Sequence, residues 1–263
     1  MYEFNYHKPA TLEEAQSLLA STSEGIYMAG GQTLIPTFKQ RLAAPSDVID
    51  LAGIEEMKGI SISGDVLSIG AMTSHAEVAS SSVVRDSILA LAHLAGLIGD
   101  AQVRNRGTIG GSIANSDPAA DYPASIVTLN TSVVTTQRTI AGAEFFQALF
   151  ETALTEGEII TRLEFIRPTR CAYAKFPNPA SRYAVVGVMI ADYSGTFQVG
   201  VTGAAGCAFR STTLESALQS QASSAAIEAV SIDYGEFNSD MHASAEYRGQ
   251  LVKVMAKRAL AAL

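Results

Sequence analysis

Ala29-Gly30-Gly31-Gln32-Thr33-Leu34-Ile35-Pro36 sets two glycines between a short apolar run, Ile26 to Ala29, and a stretch with helical spacing, Leu34 to Leu42. A strand, a glycine turn and a helix in that order bring backbone N–H groups to a point where an anion meets no Cβ. Phosphate is the natural guest of such a turn, and Gln32 and Thr33 add neutral donors that suit a pyrophosphate. Pro36 fits the first turn of the helix, where its missing N–H costs nothing.

The elements around this turn predict an α+β fold. Thr11 with Glu14 reads as a capping box that opens a short helix through Leu18 and Leu19. Asp47 to Leu51 reads as a strand, and Ile60 to Ile69 as a hairpin around Gly64-Asp65. Ser74 with Glu77 repeats the capping box, and Val83 to Ile98 has the spacing of one helix. Pro118 to Leu129 and Ala143 to Phe150 are expected to be helical, with strands at Ser132 to Thr136 and Glu158 to Ile166. A boundary falls near Pro168. Beyond it a smaller α+β unit is predicted, with neighbouring strands Tyr183 to Ala191 and Phe197 to Gly203 and helices at Thr213 to Leu218, Ala225 to Val230 and Ala245 to Leu263.

Between Arg104 and Ser116 neither the helical nor the strand period holds, so the segment reads as a functional loop. Its core, Thr108-Ile109-Gly110-Gly111-Ser112-Ile113-Ala114-Asn115-Ser116-Asp117-Pro118-Ala119-Ala120-Asp121, supplies small residues, hydroxyls, an amide and two carboxylates in one run. These side chains suit ribose and phosphate oxygens, and Asp121 is placed to accept from a sugar hydroxyl or an adenine amine. Asp117, ahead of Pro118, reads first as a helix cap. Neither glycine segment matches G-x-G-x-x-G or the Walker pattern, which disfavours a standard dinucleotide fold or a nucleotide hydrolase.

A net charge of -8 argues against a nucleic-acid surface, which draws on clustered Lys and Arg. Two cysteines, Cys171 and Cys207, are too few for a four-thiolate iron–sulfur cluster, and His7, His75, His93 and His242 lack the spacing of a zinc site, so no metal is assigned. The richest apolar window, Ile88 to Ile98, falls short of the roughly 18 residues a membrane span needs. With no basic stretch leading into an apolar run near Met1, a cytoplasmic location is expected.

These two segments, together with Lys175-Phe176-Pro177-Asn178-Pro179-Ala180-Ser181-Arg182-Tyr183-Ala184-Val185-Val186, resemble the medium, FAD-binding subunits of molybdenum hydroxylases, such as those of carbon monoxide dehydrogenase and bacterial xanthine dehydrogenase-type enzymes. The resemblance covers nearly the whole chain. It implies a two-part FAD-binding unit of the PCMH (vanillyl-alcohol oxidase-like) type over residues 1–168, divided near 52–56, and a C-terminal α+β domain over 169–263 that helps close over the flavin. It further implies an iron–sulfur small subunit and a molybdopterin large subunit as partners, in a dimer of heterotrimers. Transferred position by position, Ala29, Gly30, Gly31, Gln32, Thr33 and Leu34 fall in the first pyrophosphate loop, and Thr108, Gly110, Gly111 and Ser112 in the second. Asn115, Ser116 and Asp121 fall in the nucleotide-contacting tail. Leu163 falls in a strand whose backbone lies near the adenine or flavin edge, and Lys175 where a base near the isoalloxazine would sit. Arg182 and Tyr183 match a segment that approaches the ring in relatives.

The implied function is electron relay from iron–sulfur clusters of a partner through FAD to an external acceptor. Such a role needs no catalytic acid or base from the protein, and none is assigned. A cation at Lys175 beside the ring would stabilise the anionic reduced flavin. The alternative is a stand-alone FAD-dependent oxidase or reductase of a small molecule, which would be active without partners.

Overall fold

The computed structural model describes all of residues 1–263. The chain opens with β1 (Asn5–His7), α1 (Leu12–Ser21), β2 (Gly25–Met28), α2 (Leu34–Lys39) and β3 (Asp47–Asp50). The three strands form a parallel sheet in the order β1-β3-β2, so each crossover is made by a helix. The middle strand β3 is wholly buried, and its two acidic ends are paired, Tyr6 Oη donating to Asp50 at 2.6 Å and His7 Nε2 lying 2.7 Å from Asp47. Thr11 caps α1 by accepting from Glu14 N, but the Glu14 carboxylate accepts from Ala10 N, so the expected box closes one residue early.

Short turns over residues 51–57 lead into the second part. It contains β4 (Ile60–Ser63), β5 (Val66–Gly70), α3 (His75–Ser80), α4 (Ser82–Ser87), α5 (Leu89–Gly96), α6 (Ala101–Arg106), α7 (Ile109–Asn115), α8 (Tyr122–Thr128), β6 (Ser132–Thr135), β7 (Thr139–Ala141), β8 (Phe146–Ala148), β9 (Glu151–Thr152) and β10 (Ile160–Ile166). A five-stranded antiparallel sheet runs β4-β5-β10-β6-β7. The full capping box at Ser74 and Glu77 is present at α3. Two expectations fail here. Val83 to Ile98 is not one helix, because Ile88 leaves helical geometry (φ -140°, ψ 74°) and splits it into α4 and α5. Ala143 to Phe150 is not helical: a single turn is followed by the β8-β9 hairpin, whose tip places Phe150 at φ +56°.

The third part comprises β11 (Arg170–Pro177), β12 (Ala184–Tyr193), β13 (Thr196–Thr202), β14 (Phe209–Arg210), α9 (Thr212–Ser220), α10 (Ser224–Ala229) and α11 (Ala245–Ala261), with the strands in antiparallel order. Every residue of β12 but the last is buried, since the sheet is covered on both faces. Met189 and Ala191, with Tyr173 of β11, join the core shared with α5 and α8. Val186, Val188 and Ile190 join Val252, Met255 and Ala256 of α11. The molecule is therefore α+β throughout, with the third sheet seated on helices of the second part.

Arg248 of α11 pins this sheet. Its Nη1 donates to the carbonyls of Val185 (2.7 Å) and Gly203 (2.8 Å), and its Nη2 to Asp240 (2.7 Å). Replacing it strands two buried carbonyls without donors. Arg248→Met is expected to lower the unfolding free energy by about 3 kcal/mol; an unchanged urea midpoint would show that the tie is dispensable.

Candidate cofactor site

A cavity of about 400 Å³ lies where the three parts meet. Its walls come from the β2-α2 turn, from α7 and the segments flanking it, from the start of β10 with the residues just before it, and from Ser181 to Tyr183 of the β11-β12 connection.

The β2-α2 turn is built to face a ligand. Gly31 adopts φ +71°, a conformation open to glycine at no steric cost. None of the five backbone N–H groups from Ala29 to Thr33 donates to another protein atom, and neither the Gln32 amide nor the Thr33 hydroxyl has a protein partner. Five consecutive free donors beside two free side chains form a cradle for an anion. Leu34 also lines the cavity.

The second glycine segment works differently from its expected form. It is mostly the helix α7, with Thr108 as N-cap: its Oγ1 accepts from Gly111 N at 3.1 Å. Ile109 N donates to Thr73 O, Gly110 N to Ala71 O and Ser112 N to Thr108 O, so the first turn of this helix has no backbone donor left over. What it presents to the cavity is side chains, Ser112 and Asn115, neither of which is hydrogen-bonded within the protein. The glycines here serve packing. A Cβ on Gly110 would press on Ala71, one on Gly111 would meet Ala29 Cβ at 3.0 Å, and one on Gly30 would collide with the Arg106 carbonyl and Gly107. Asp117 lines the cavity and accepts from Ala119 N at 2.9 Å in a local turn instead of capping a helix.

Asp121 reaches the cavity wall but is fully engaged from behind. Tyr173 Oη donates to it at 2.6 Å and Lys175 Nζ approaches its carboxylate to 2.9 Å. Burial raises its pKa against the pull of Lys175. Lys175 is not at the cavity: its three donors are spent on Asp121, on Leu97 O (3.0 Å) and on Arg182 O (2.8 Å), and its side chain is 5% exposed. It clamps the end of α5, the start of α8 and the β11-β12 connection together. Two more expected contacts lie elsewhere. Ser116, left-handed at φ +46°, is buried and donates to Glu151 O at the hairpin. Leu163 sits in the middle of the five-stranded sheet with its side chain wholly in the core, and Ile159 and Ile160 line the cavity in its place.

Other wall residues escaped sequence reasoning. His75 lines the cavity, its ring 5.3 Å from that of Tyr122, and burial with the nearby Arg104 charge brings its pKa down to about 4, so it is neutral near pH 7. Glu158 is also on the wall. Burial alone would raise its pKa, but hydrogen bonds from Arg138, Thr135 and Thr155 outweigh it and hold the carboxyl at about 2. Only its distance in sequence from the glycine segments hid it.

A two-lobed α+β unit with a chain of free backbone donors facing an interdomain cavity defines a nucleotide-cofactor binder in which neutral groups receive the phosphates. Residues 2–166 match the FAD binding domain in molybdopterin dehydrogenase, and the chain belongs to that family, an oxidoreductase family with FAD as cofactor. It is 34% identical to the carbon monoxide dehydrogenase medium chain of Hydrogenophaga pseudoflava, over 98% of this chain and 96% of that one. To the nicotine 6-hydroxylase medium subunit of Paenarthrobacter nicotinovorans it is 33% identical, over 97% and 95%. Its structure superposes on quinoline 2-oxidoreductase of Pseudomonas putida 86 with a TM-score of 0.89 at 27% identity, over 99% and 96% of the two chains. The chain is thus a FAD-binding subunit of the molybdenum hydroxylase type. The residues present fit the cofactor: the Ala29–Thr33 donors suit its pyrophosphate, and Ser112 and Asn115 its remaining polar groups.

Glu158 has a folded-state pKa below its ordinary value of 4.5, so its contribution to stability is complete above that value and is lost as pH falls toward about 2. The stability gap between wild type and Glu158→Gln is expected to shrink over that window; a gap constant with pH would refute the assignment. Lys175→Met leaves a buried carboxylate unpaired and is expected to lower stability by about 3–5 kcal/mol. Adding Asp121→Asn should recover part of that loss in a double-mutant cycle, and simple additivity would show that the pair is not coupled.

Proposed function

We propose that the chain is the electron relay of a molybdenum hydroxylase assembly, carrying FAD between iron–sulfur clusters on a small partner subunit and an external acceptor. A molybdopterin-bearing large subunit would meet the substrate, in a cytoplasmic dimer of heterotrimers. FAD supplies the exchange of electrons one at a time or in pairs; the protein supplies binding, orientation and electrostatics.

The observation that carries this reading is the row of open amides from Ala29 to Thr33, which suits the pyrophosphate of a cofactor, beside three wall carboxylates that each accept hydrogen bonds from the protein. Asp117 is turned to Ala119 N, Asp121 to Tyr173 and Lys175, and Glu158 to Arg138, Thr135 and Thr155. His75 is buried and neutral near pH 7, against Tyr122. This wall offers donors that grip and orient a cofactor. Two cysteines cannot ligate a four-thiolate cluster, so clusters belong to another chain. Relatives named for carbon monoxide, nicotine and quinoline enzymes share this fold, which supports a substrate site elsewhere in the assembly.

The test uses Gly30→Val, whose side chain would meet the Arg106 carbonyl and Gly107 and force the β2-α2 turn out of place. In the assembly with both partners, the variant is expected to lose releasable FAD and reduction of the acceptor, while substrate still bleaches the iron–sulfur absorbance. Oxidation of a small molecule by the isolated wild-type chain would overturn the relay reading.

A further inference from the structure

The cavity wall carries three carboxylates, a neutral histidine and one basic side chain, Arg182. Its backbone is held unusually firmly. Arg182 sits at φ +63°, a left-handed conformation that a non-glycine residue seldom adopts and that persists where the surroundings fix it. Those surroundings are visible: Arg182 N donates to Asn178 O at 2.9 Å, and its carbonyl accepts from Lys175 Nζ at 2.8 Å. The Asn178 side chain accepts from Ala180 N and Ser181 N, which closes the turn that presents it. The guanidinium makes one protein contact, Nη1 to Gly99 O at 3.2 Å, and keeps its remaining N–H groups free, with no carboxylate paired to it. None of these partners belongs to the Ala29–Thr33 cradle, which already offers five N–H donors to the phosphates.

We propose that Arg182 is the cation that stabilises the negative charge of the reduced flavin ring, with Lys175 positioning it from behind through the Arg182 carbonyl. The inference rests on FAD being bound in this cavity and on the relay reading. Two electrons and one proton convert the neutral ring to an anion, the electrons coming from a one-electron donor on a partner and the proton from solvent. A second proton would give a neutral reduced ring. A guanidinium held at the ring favours the anion, because it is always charged and gives several donors in one plane. Reduction is thereby favoured without any group on the protein changing its protonation.

The test is the two-electron midpoint potential of the flavin in the FAD-loaded assembly, with FAD dissociation measured alongside. Arg182→Gln is expected to weaken the preference for the reduced state about tenfold, a fall of about 30 mV for a two-electron couple. FAD affinity should change little, and Arg182→Lys should restore part of the potential. An unmoved potential with FAD bound normally overturns the proposal. Weaker FAD binding with no change in potential also overturns it, by showing that Arg182 grips the phosphates. Wild type gives a second reading should the variants not fold: one proton per two electrons means a slope of about 30 mV per pH unit around neutrality, and a slope of about 60 mV overturns the proposal. Failure of the relay reading is separate, since it would appear as wild-type flavin that partner-bound clusters do not reduce.

Discussion

The architecture depends on how closely two backbone segments approach each other. Gly30 lies against the carbonyl of Arg106 and the α-carbon of Gly107, and Gly111 lies against the methyl of Ala29, so the turn after β2 and the helical layer touch with nothing larger than that methyl between them. From that contact the rest of the cavity follows. The turn after β2 is fixed facing α7, and the strip from Ala71 to His75 is stitched to Gly107, Ile109 and Gly110 by backbone hydrogen bonds of 2.9–3.1 Å. Two segments that look alike in composition therefore divide the work: one leaves its amides open, and the other spends its amides on the turn after β5 and on its own cap and offers side chains.

The third sheet is attached through a polar junction set within apolar packing. Asp121, at the start of α8, gathers Tyr173 and Lys175 from β11, and Lys175 reaches on to Leu97 and Arg182. A buried ion pair of this kind adds little net stability over an apolar equivalent, but it is costly to break and admits one arrangement of its parts. Here it fixes the height of the 178–183 connection over the cavity. Lys175, which the family resemblance places beside the flavin, is thus found one layer back from the cavity, setting the position of Arg182 in front of it.

Much of this was legible. The strand, glycine turn and helix of β2-α2 were readable as such, although the two glycines alone fit a plain connector equally well, and the capping box at Ser74 and Glu77 named the start of α3 outright. The misreadings share a physical cause, which is tertiary contact overriding local pattern. Glycines at 110 and 111 mask α7, whose start is held by Thr108 and by Thr73 and Ala71 in the turn after β5. The spacing of Phe145, Phe146 and Phe150 imitates a helix, yet Phe145 and Phe146 pack edge to face in the core while Phe150 is exposed at a hairpin tip. Lys175 and Pro177 disguise β11, because a lysine facing a buried aspartate looks in sequence like a surface lysine. Asp121 was singled out as a ligand contact on its chemistry, but its strong partners lie 52 and 54 residues away.

The open amides from Ala29 to Thr33 have a consequence beyond the site itself. The turn that carries those groups is held by close glycine contacts and by three hydrogen bonds, from Ile35 N to Gly31 O and from Thr37 N and Oγ1 to Thr33 O. Any molecule that binds the folded form alone adds stability by mass action, about 2.7 kcal/mol at a hundredfold excess over its dissociation constant. A flavin bound at this turn therefore holds the seam between the first two parts of the chain shut, so resistance to proteolysis, which acts on open forms, rises with occupancy of the site.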